Sequence, residues 1–238
     1  GQGGEIIRHK LNATASAALT WKPFDWWTIE GTVSPRFVLN HNHSFYDMVK
    51  YYSDPYGTVS PVSNRQYNEL TESQSIYYYG NYLLTTSFQK KFGGAHFAKL
   101  LLGASNETMH QWSLSGYRQD FQYTQYRVLN AGMANETMSN GGAEYRWKLL
   151  SFFGRLNYNF KERYLLEANV RFDGSSRFAK GHRWGIFPSV SAAWRVSEEN
   201  WMEESKNVLT ELKVRGSWGR LGNQNIGSDY YPTIQALT

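Results

Sequence analysis

The chain has 238 residues, of which 16% are aromatic and 19% are charged, and its mean hydropathy of −0.58 is typical of a soluble protein. The absence of cysteine excludes disulfides, thiolate zinc sites and cysteine nucleophiles, and no segment approaches the roughly 20 apolar residues of a membrane-spanning helix. The net charge of +5 is scattered instead of forming a basic stripe, so no nucleic acid partner is expected.

Alternation of apolar and polar residues predicts an all-β protein. Between Tyr164 and Phe172, mainly apolar side chains fall on one face, whereas Glu167, Asn169 and Arg171 fall on the other. Such strands average to a polar hydropathy, so an antiparallel transmembrane β-barrel is compatible with the composition. We expect eight strands, centred in chain order on residues 8–21, 26–40, 74–89, 96–116, 144–159, 163–173, 185–196 and 211–221.

Two of these strands are predicted more from their position among the other strands than from their own alternation of apolar and polar residues. Pro35 lies inside the second strand and lacks the N–H that a sheet ladder requires. The third, residues 74–89, alternates poorly. Several of the eight are nevertheless much longer than the usual mode of about 5–6 residues in soluble sheets.

Short and long connections alternate along the chain. The segments K-P-F-D, K-K-F-G-G-A and F-K-E are short, whereas residues 41–73, 117–143 and 174–184 form long loops. Outer-membrane barrels have this arrangement, with tight periplasmic turns and longer extracellular loops. The fourth short-side connection, residues 197–210, is longer, and we expect a helical turn capped by Ser197.

Aromatic residues cluster beside the short turns. Rings with an apolar body and a polar tip are enriched at the membrane–water boundary. In a soluble β-sandwich, such rings are not expected to occur at every second turn. The pattern therefore favours a membrane barrel. The expected interface aromatics are Trp21, Trp26, Trp27, Phe160, Tyr164 and Trp194.

Two motifs that could suggest a bound cofactor or metal are better explained otherwise. His41 and His43 form an H-x-H pair near Asp47, but they lie in the least patterned predicted loop, where solvation is the simpler explanation. The glycine-rich segment 216–223 is not followed by a helix pattern, which the nucleotide-binding fingerprint requires. We therefore expect no metal and no cofactor.

Catalysis is not expected either. Glu167 and Asp173 could be imagined as the carboxylate pair of a glycosidase. Six residues apart on one strand, they would be separated by about 20 Å, well beyond the spacing that glycosidases use. No other set of nucleophile, base and orienting group stands out.

Three motifs near the end of the chain resemble the barrel of the SusC/RagA family. They are D-G-S-S-R-F at 173–178, R-W-G-x-F-P-S-x-S-A-x-W-R at 183–195 and L-K-x-R-x-S-x-G-x-x-G-N at 212–223. They are highly specific, and the stretches that contain them, residues 170–202 and 211–231, together cover about a quarter of the chain. The earlier part is similar to the family only in its alternating strands and variable loops.

The resemblance implies a TonB-linked transporter in the outer membrane of Bacteroidetes-type bacteria. Such proteins close about 22 strands around a plugged lumen, so eight strands would be about a third of the barrel. We expect residues 1–238 to be part of one outer-membrane β-barrel domain in contact with lipid. The plug domain, the TonB box and the barrel C-terminus are expected to be absent from this chain.

The resemblance also implies a function. Members actively import a large nutrient, often an oligosaccharide or a peptide, which a SusD-like surface lipoprotein delivers and which TonB helps to admit through the plug. In this chain, residues expected to face the lumen and to contact plug or ligand are Arg155, Glu167, Asn169, Arg171, Asp173 and Arg177. The simpler alternative is that they are solvated wall residues.

Two other functions remain open at the level of sequence. A secreted β-rich carbohydrate-binding module would use its aromatic residues as sugar-stacking platforms on one exposed face. A non-specific porin-type channel would fold its outer loops inward and would carry no plug. Residues 41–73 and 117–143 bear on the ligand and are the least readable parts of the chain.

Overall fold

The computed structural model describes residues 3–49, 52, 54–57 and 66–224 of the chain. Within these ranges no helix has both the length and the apolar character needed to cross a membrane.

The described residues form one sheet of nine strands, and the pairings confirm the prediction of an all-β, antiparallel protein. Spatial order follows chain order from β3 to β9, while β1 and β2 both pair with β3, so the described part is an open sheet. The strands are β1 Gly4–Thr14, β2 Ala17–Phe24, β3 Trp27–Tyr46, β4 Glu69–Phe92, β5 His96–Gln119, β6 Ser139–Phe160, β7 Tyr164–Ser175, β8 Trp184–Arg195 and β9 Lys213–Gly219.

The first predicted strand is divided in two, and Pro35 supplies the reason. At the break, the Ala15 N–H donates to the Pro35 carbonyl at 3.1 Å, and the hydroxyls of Ser16 and Ser34 lie 2.9 Å apart. Proline has no N–H to return the first bond. The ladder is therefore interrupted opposite Pro35, although β3 itself continues through it.

Strands β3 and β4, which were predicted as the second and third strands, are longer than the sequence pattern predicts. β3 continues to Tyr46, and β4 begins at Glu69 and reaches 24 residues, so it includes the poorly alternating segment 74–89. Polar residues fall on both faces of these extensions, which removes the period-two signal. The first two long connections shorten accordingly to residues 47–68 and 120–138.

The expected helical turn after β8 is a pair of short 3-10 helices, Val196–Glu198 and Asn200–Asn207. Ser197 does not cap a helix, so that prediction was wrong. Its backbone N–H donates to the Leu212 carbonyl at 3.2 Å, and its hydroxyl is buried and has no hydrogen-bond partner among the described residues. A third short 3-10 helix, Leu129–Ala131, lies in the 120–138 connection.

The chain divides into two compact units. The first lies within residues 1–14, 36–79 and 109–146, and the second within residues 15–35, 80–108 and 147–238.

The first unit contains the main buried apolar cluster. Phe45, Leu70 and Phe121 are almost fully buried, Leu129 packs against them, and the rings of Phe45 and Phe121 meet edge to face at 5.6 Å. The buried Asn68 amide donates to the Phe121 carbonyl at 2.9 Å and accepts from its N–H at 2.6 Å. The start of the 120–138 connection is thus fixed by packing and by paired hydrogen bonds.

Candidate functional site

In the second unit, strand register separates two chemically different faces. One row across β6–β9 consists of Leu156, Ala168, Val190 and Trp218. The adjacent row consists of Asn157, Glu167, Ser191 and Ser217. Because side chains alternate between faces along each strand, the sheet has an apolar face and a polar face.

Large side chains on the apolar face are exposed. Leu166 is 42% exposed, Ile186 54% and Trp218 65%, although residues of these types are usually buried. A contiguous exposed apolar surface of this kind is typical of a membrane or protein contact.

The polar face carries a hydrogen-bonded chain of four side chains. Arg155 Nε donates to Asn169 Oδ1 at 2.7 Å, and Asn169 Nδ2 donates to Glu167 Oε1 at 2.9 Å. Asn157 Nδ2 donates to the other Glu167 oxygen at 2.7 Å. Three of the predicted lumen residues are therefore held together, and Asn157 joins them because it lies opposite Glu167 in the register.

A second group on this face is built around Arg171. Its Nε donates to Asp173 Oδ1 at 2.6 Å, its Nη2 donates to Ser151 Oγ at 2.9 Å, and its guanidinium lies 5.7 Å from the centre of the Phe153 ring. These contacts hold the Arg171 guanidinium in one orientation. Arg177 belongs to the connection after β7 and is only 8% exposed; its backbone N–H donates to Ser175 Oγ at 3.3 Å.

Beside the second group lies a cavity of about 600 Å³ with an excess of positive charge. Arg171 and Asp173 line it together with Arg183 and Arg220. Three guanidinium groups against one carboxylate favour an anionic or acidic partner. Sequence reasoning did not select Arg183 and Arg220, although both belong to the motifs that carry the family resemblance.

The six predicted interface aromatics form two groups of neighbouring rings. Trp26 lies 6.2 Å from Trp27, which lies 6.3 Å from Trp21 and donates its indole N–H to Thr86 Oγ1 at 2.8 Å. In the second group, ring centres are 6.2 Å apart for Phe160 and Tyr164 and 6.4 Å apart for Tyr164 and Trp194.

Glu199, in the connection after β8, receives hydrogen bonds from three side chains. Its Oε1 accepts from the Tyr164 hydroxyl at 2.7 Å and from the Trp194 indole at 3.0 Å, while Oε2 pairs with Arg163 at 3.1 Å. The Tyr164 hydrogen bond, followed by the Trp194 bond and the charge of Arg163, lowers the pKa of Glu199 below its ordinary value. Sequence reasoning missed this residue because its partners come from separate segments.

The histidine pair requires a correction. His41 and His43 do not lie in a loop but in β3, and both contact Glu72, at 2.9 and 2.5 Å. The sequence does not show this contact because Glu72 lies about 30 residues further along the chain. Among the described residues, no group of three or more His, Cys, Asp or Glu side chains is placed to hold a metal ion.

Glycines of the resemblance motifs make room for aromatic rings of the same motifs. A Cβ on Gly174 would lie 2.8 Å from the indole of Trp184, and a Cβ on Gly222 would overlap the ring of Phe187. The three motifs are thus linked by packing.

Comparisons with known proteins agree on the type of barrel. A family model described as "TonB dependent receptor-like, beta-barrel" matches residues 4–237. The TonB-dependent receptor SusC of Bacteroides thetaiotaomicron is 36% identical over 174 residues, which are 72% of this chain and 17% of SusC. The TonB-dependent receptor P26 of Formosa agariphila is 28% identical over 221 residues, 90% of this chain and 21% of that protein.

Solved structures show the same fold. A structure of the RagAB peptide transporter matches with a TM-score of 0.86 at 21% identity, covering 99% of this chain and 25% of that one. The "open-open" state of the RagAB peptide importer matches with a TM-score of 0.85 at 21% identity, over 99% and 24% of the two chains. This chain therefore spans about a quarter or less of the proteins that it matches.

The packing of Gly222 predicts the effect of adding one methyl group. Gly222→Ala should lower the free energy of unfolding by about 1–3 kcal/mol, because the new Cβ overlaps the Phe187 ring. Gly216→Ala is the control, since no atom of the described residues lies within 4 Å of the new Cβ. Urea unfolding of the parent protein in detergent micelles measures both. Equal losses in the two variants would contradict the packing role.

The Glu199 contacts predict a pH dependence. A carboxyl group whose pKa is lowered by folding stabilises the folded state above its unfolded pKa, and this contribution is lost as pH falls through the lowered value. Unfolding midpoints should therefore fall more steeply below about pH 4.5 in the wild type than in Glu199→Gln. Parallel profiles between pH 3 and pH 6 would argue against this role.

Proposed function

Because the chain belongs to the family of TonB-dependent receptor-like β-barrels, we propose that it forms part of the wall of an importer in the bacterial outer membrane. The parent protein takes up a large nutrient in a TonB-dependent manner. The observation that carries the proposal is the pair of faces on β6–β9, one apolar and exposed, the other polar and hydrogen-bonded.

The two faces match the two environments of a barrel wall. In lipid, backbone N–H and C=O groups must be paired within the protein, and the antiparallel ladders of β6–β9 pair them. Exposed residues such as Leu166 and Val190 then contact acyl chains instead of water. The chains of hydrogen bonds around Glu167 and Arg171 face the interior of the barrel.

The aromatic groups fit one boundary of the membrane. Both the Trp21–Trp26–Trp27 group and the Phe160–Tyr164–Trp194 group lie at short connections. We assign these connections to the periplasmic side, where outer-membrane barrels have their tight turns. The 47–68 and 120–138 connections then belong to the extracellular side.

We further propose that the strands belong to a single barrel domain of about 22 strands, with the plug and the TonB box supplied by other segments of the parent protein. Arg155, Glu167 and Asn169 line the lumen, and Arg171, Asp173 and Arg177 lie at its rim. The positive cavity beside Arg171 contacts acidic groups of the plug or of the cargo.

The cargo is an oligosaccharide or a peptide, delivered by a SusD-like surface lipoprotein. The similar RagAB structures are described as a peptide transporter. This similarity of fold is what supports a peptide as the cargo. Guanidinium groups suit the carboxylates of a peptide, and the same groups can bind acidic sugars.

Purification of the tagged parent protein from outer membranes tests this function. We expect a band whose mobility changes on boiling and a co-purifying lipoprotein, and cells lacking the gene should lose uptake of labelled oligosaccharides or peptides. A protein that purifies alone and conducts small solutes without TonB would instead be a porin-type channel.

The face assignment predicts an asymmetry between two lysine substitutions. Val170→Lys should destabilise the folded barrel by about 2–4 kcal/mol, because it places a charge in lipid near mid-depth. Ser191→Lys, on the polar face opposite Glu167, should cost little. Reversible unfolding of the parent protein in phospholipid vesicles measures both. Equal tolerance of the two substitutions would contradict the assignment.

A further inference from the structure

A groove of about 260 Å³ lies on the second unit between β4, β5 and β6. Its apolar walls are Trp26, Phe88, Ala98, Leu100 and Leu156, and Gln89 and Lys90 complete the lining. Ala98 is the smallest of these side chains, and its position between larger neighbours accounts for the depression. Trp26 and Phe88 stack with ring centres 6.2 Å apart and form one wall.

Lys90 gives this groove a polar end. It follows Phe88 by two residues on β4, so the two side chains share a face, and it lies nearer to the short connection that follows Phe92. Lys90 is exposed, and within the described part of the chain no carboxylate lies at ion-pair distance from it.

We propose that the groove binds one acyl chain of a phospholipid whose anionic head group is held at Lys90. The inference rests on the proposed function, which places this face in the outer membrane. The apolar walls fit a hydrocarbon chain. The indole of Trp26 suits the boundary between acyl chains and head groups, and the ammonium group of Lys90 attracts an anionic phosphate. The ligand is thus a lipid of the leaflet that contacts the short turns.

The lipid specificity distinguishes this site from general hydrophobic contact. A zwitterionic phospholipid fills the groove equally well but carries no net charge for Lys90. Acyl packing alone would therefore bind phosphatidylglycerol and phosphatidylcholine alike, whereas the proposed site prefers phosphatidylglycerol.

Native mass spectrometry of the delipidated, full-length parent protein in detergent measures the binding. Titration with phosphatidylglycerol should show a high-affinity site, and Lys90→Gln should weaken it about fivefold while leaving phosphatidylcholine binding unchanged. Lys99→Gln is the matched control, because alternation on β5 places Lys99 on the face opposite Ala98 and Leu100. Equal binding by the wild type, Lys90→Gln and Lys99→Gln would overturn the head-group assignment.

A second variant tests the groove itself. Ala98→Trp should fill it and weaken binding of both phospholipids, and unchanged binding would overturn the acyl-chain assignment. Boiling-sensitive migration of the wild type reports separately on the proposed function. A wild-type protein that lacks this migration would contradict the membrane assignment, whereas one that shows it without any phosphatidylglycerol preference would contradict only the lipid site.

Discussion

Hydrogen bonding between the backbones of neighbouring strands is the constraint on which the rest of the structure depends. Each described strand hydrogen-bonds to a neighbour, and once the ladder satisfies the backbone, side-chain alternation decides what each face meets. In the second unit this places Val190 and Trp218 on one face and Glu167 and Ser191 on the other. The two chemically different faces thus follow from a single register.

Hydrogen bonds orient side chains on the polar face. Glu167 accepts from two amides and Arg171 donates to two oxygens, so these side chains are oriented before any partner arrives. Preorganised groups lose less conformational entropy on binding. Glu199 orients Tyr164 and Trp194 in the same manner, by accepting a hydrogen bond from each.

The sequence predicts elements best where its alternation is strong. Both ends of β7 lie within two residues of the predicted strand 163–173. The resemblance to the SusC/RagA family is also confirmed. The division opposite Pro35 and the extension of β3 were missed because they depend on cross-strand bonds and on segments without a two-residue period. The Glu72 contacts of His41 and His43 and the cavity position of Arg220 depend on residues brought together only by the fold.

Cysteine scanning of β7 tests the central claim most directly, in a parent protein whose other cysteines, if it has any, are replaced by serine; residues 1–238 contain none. Single cysteines at residues 164–173 of the parent protein, spin-labelled in phospholipid vesicles, report accessibility to oxygen in lipid and to a nickel chelate in water. If the sheet has two faces, accessibility should alternate with a period of two residues. Labels at even positions should be more accessible to oxygen, and labels at odd positions more accessible to the nickel chelate. Similar accessibility at neighbouring positions, or water-exposed even positions, would contradict it.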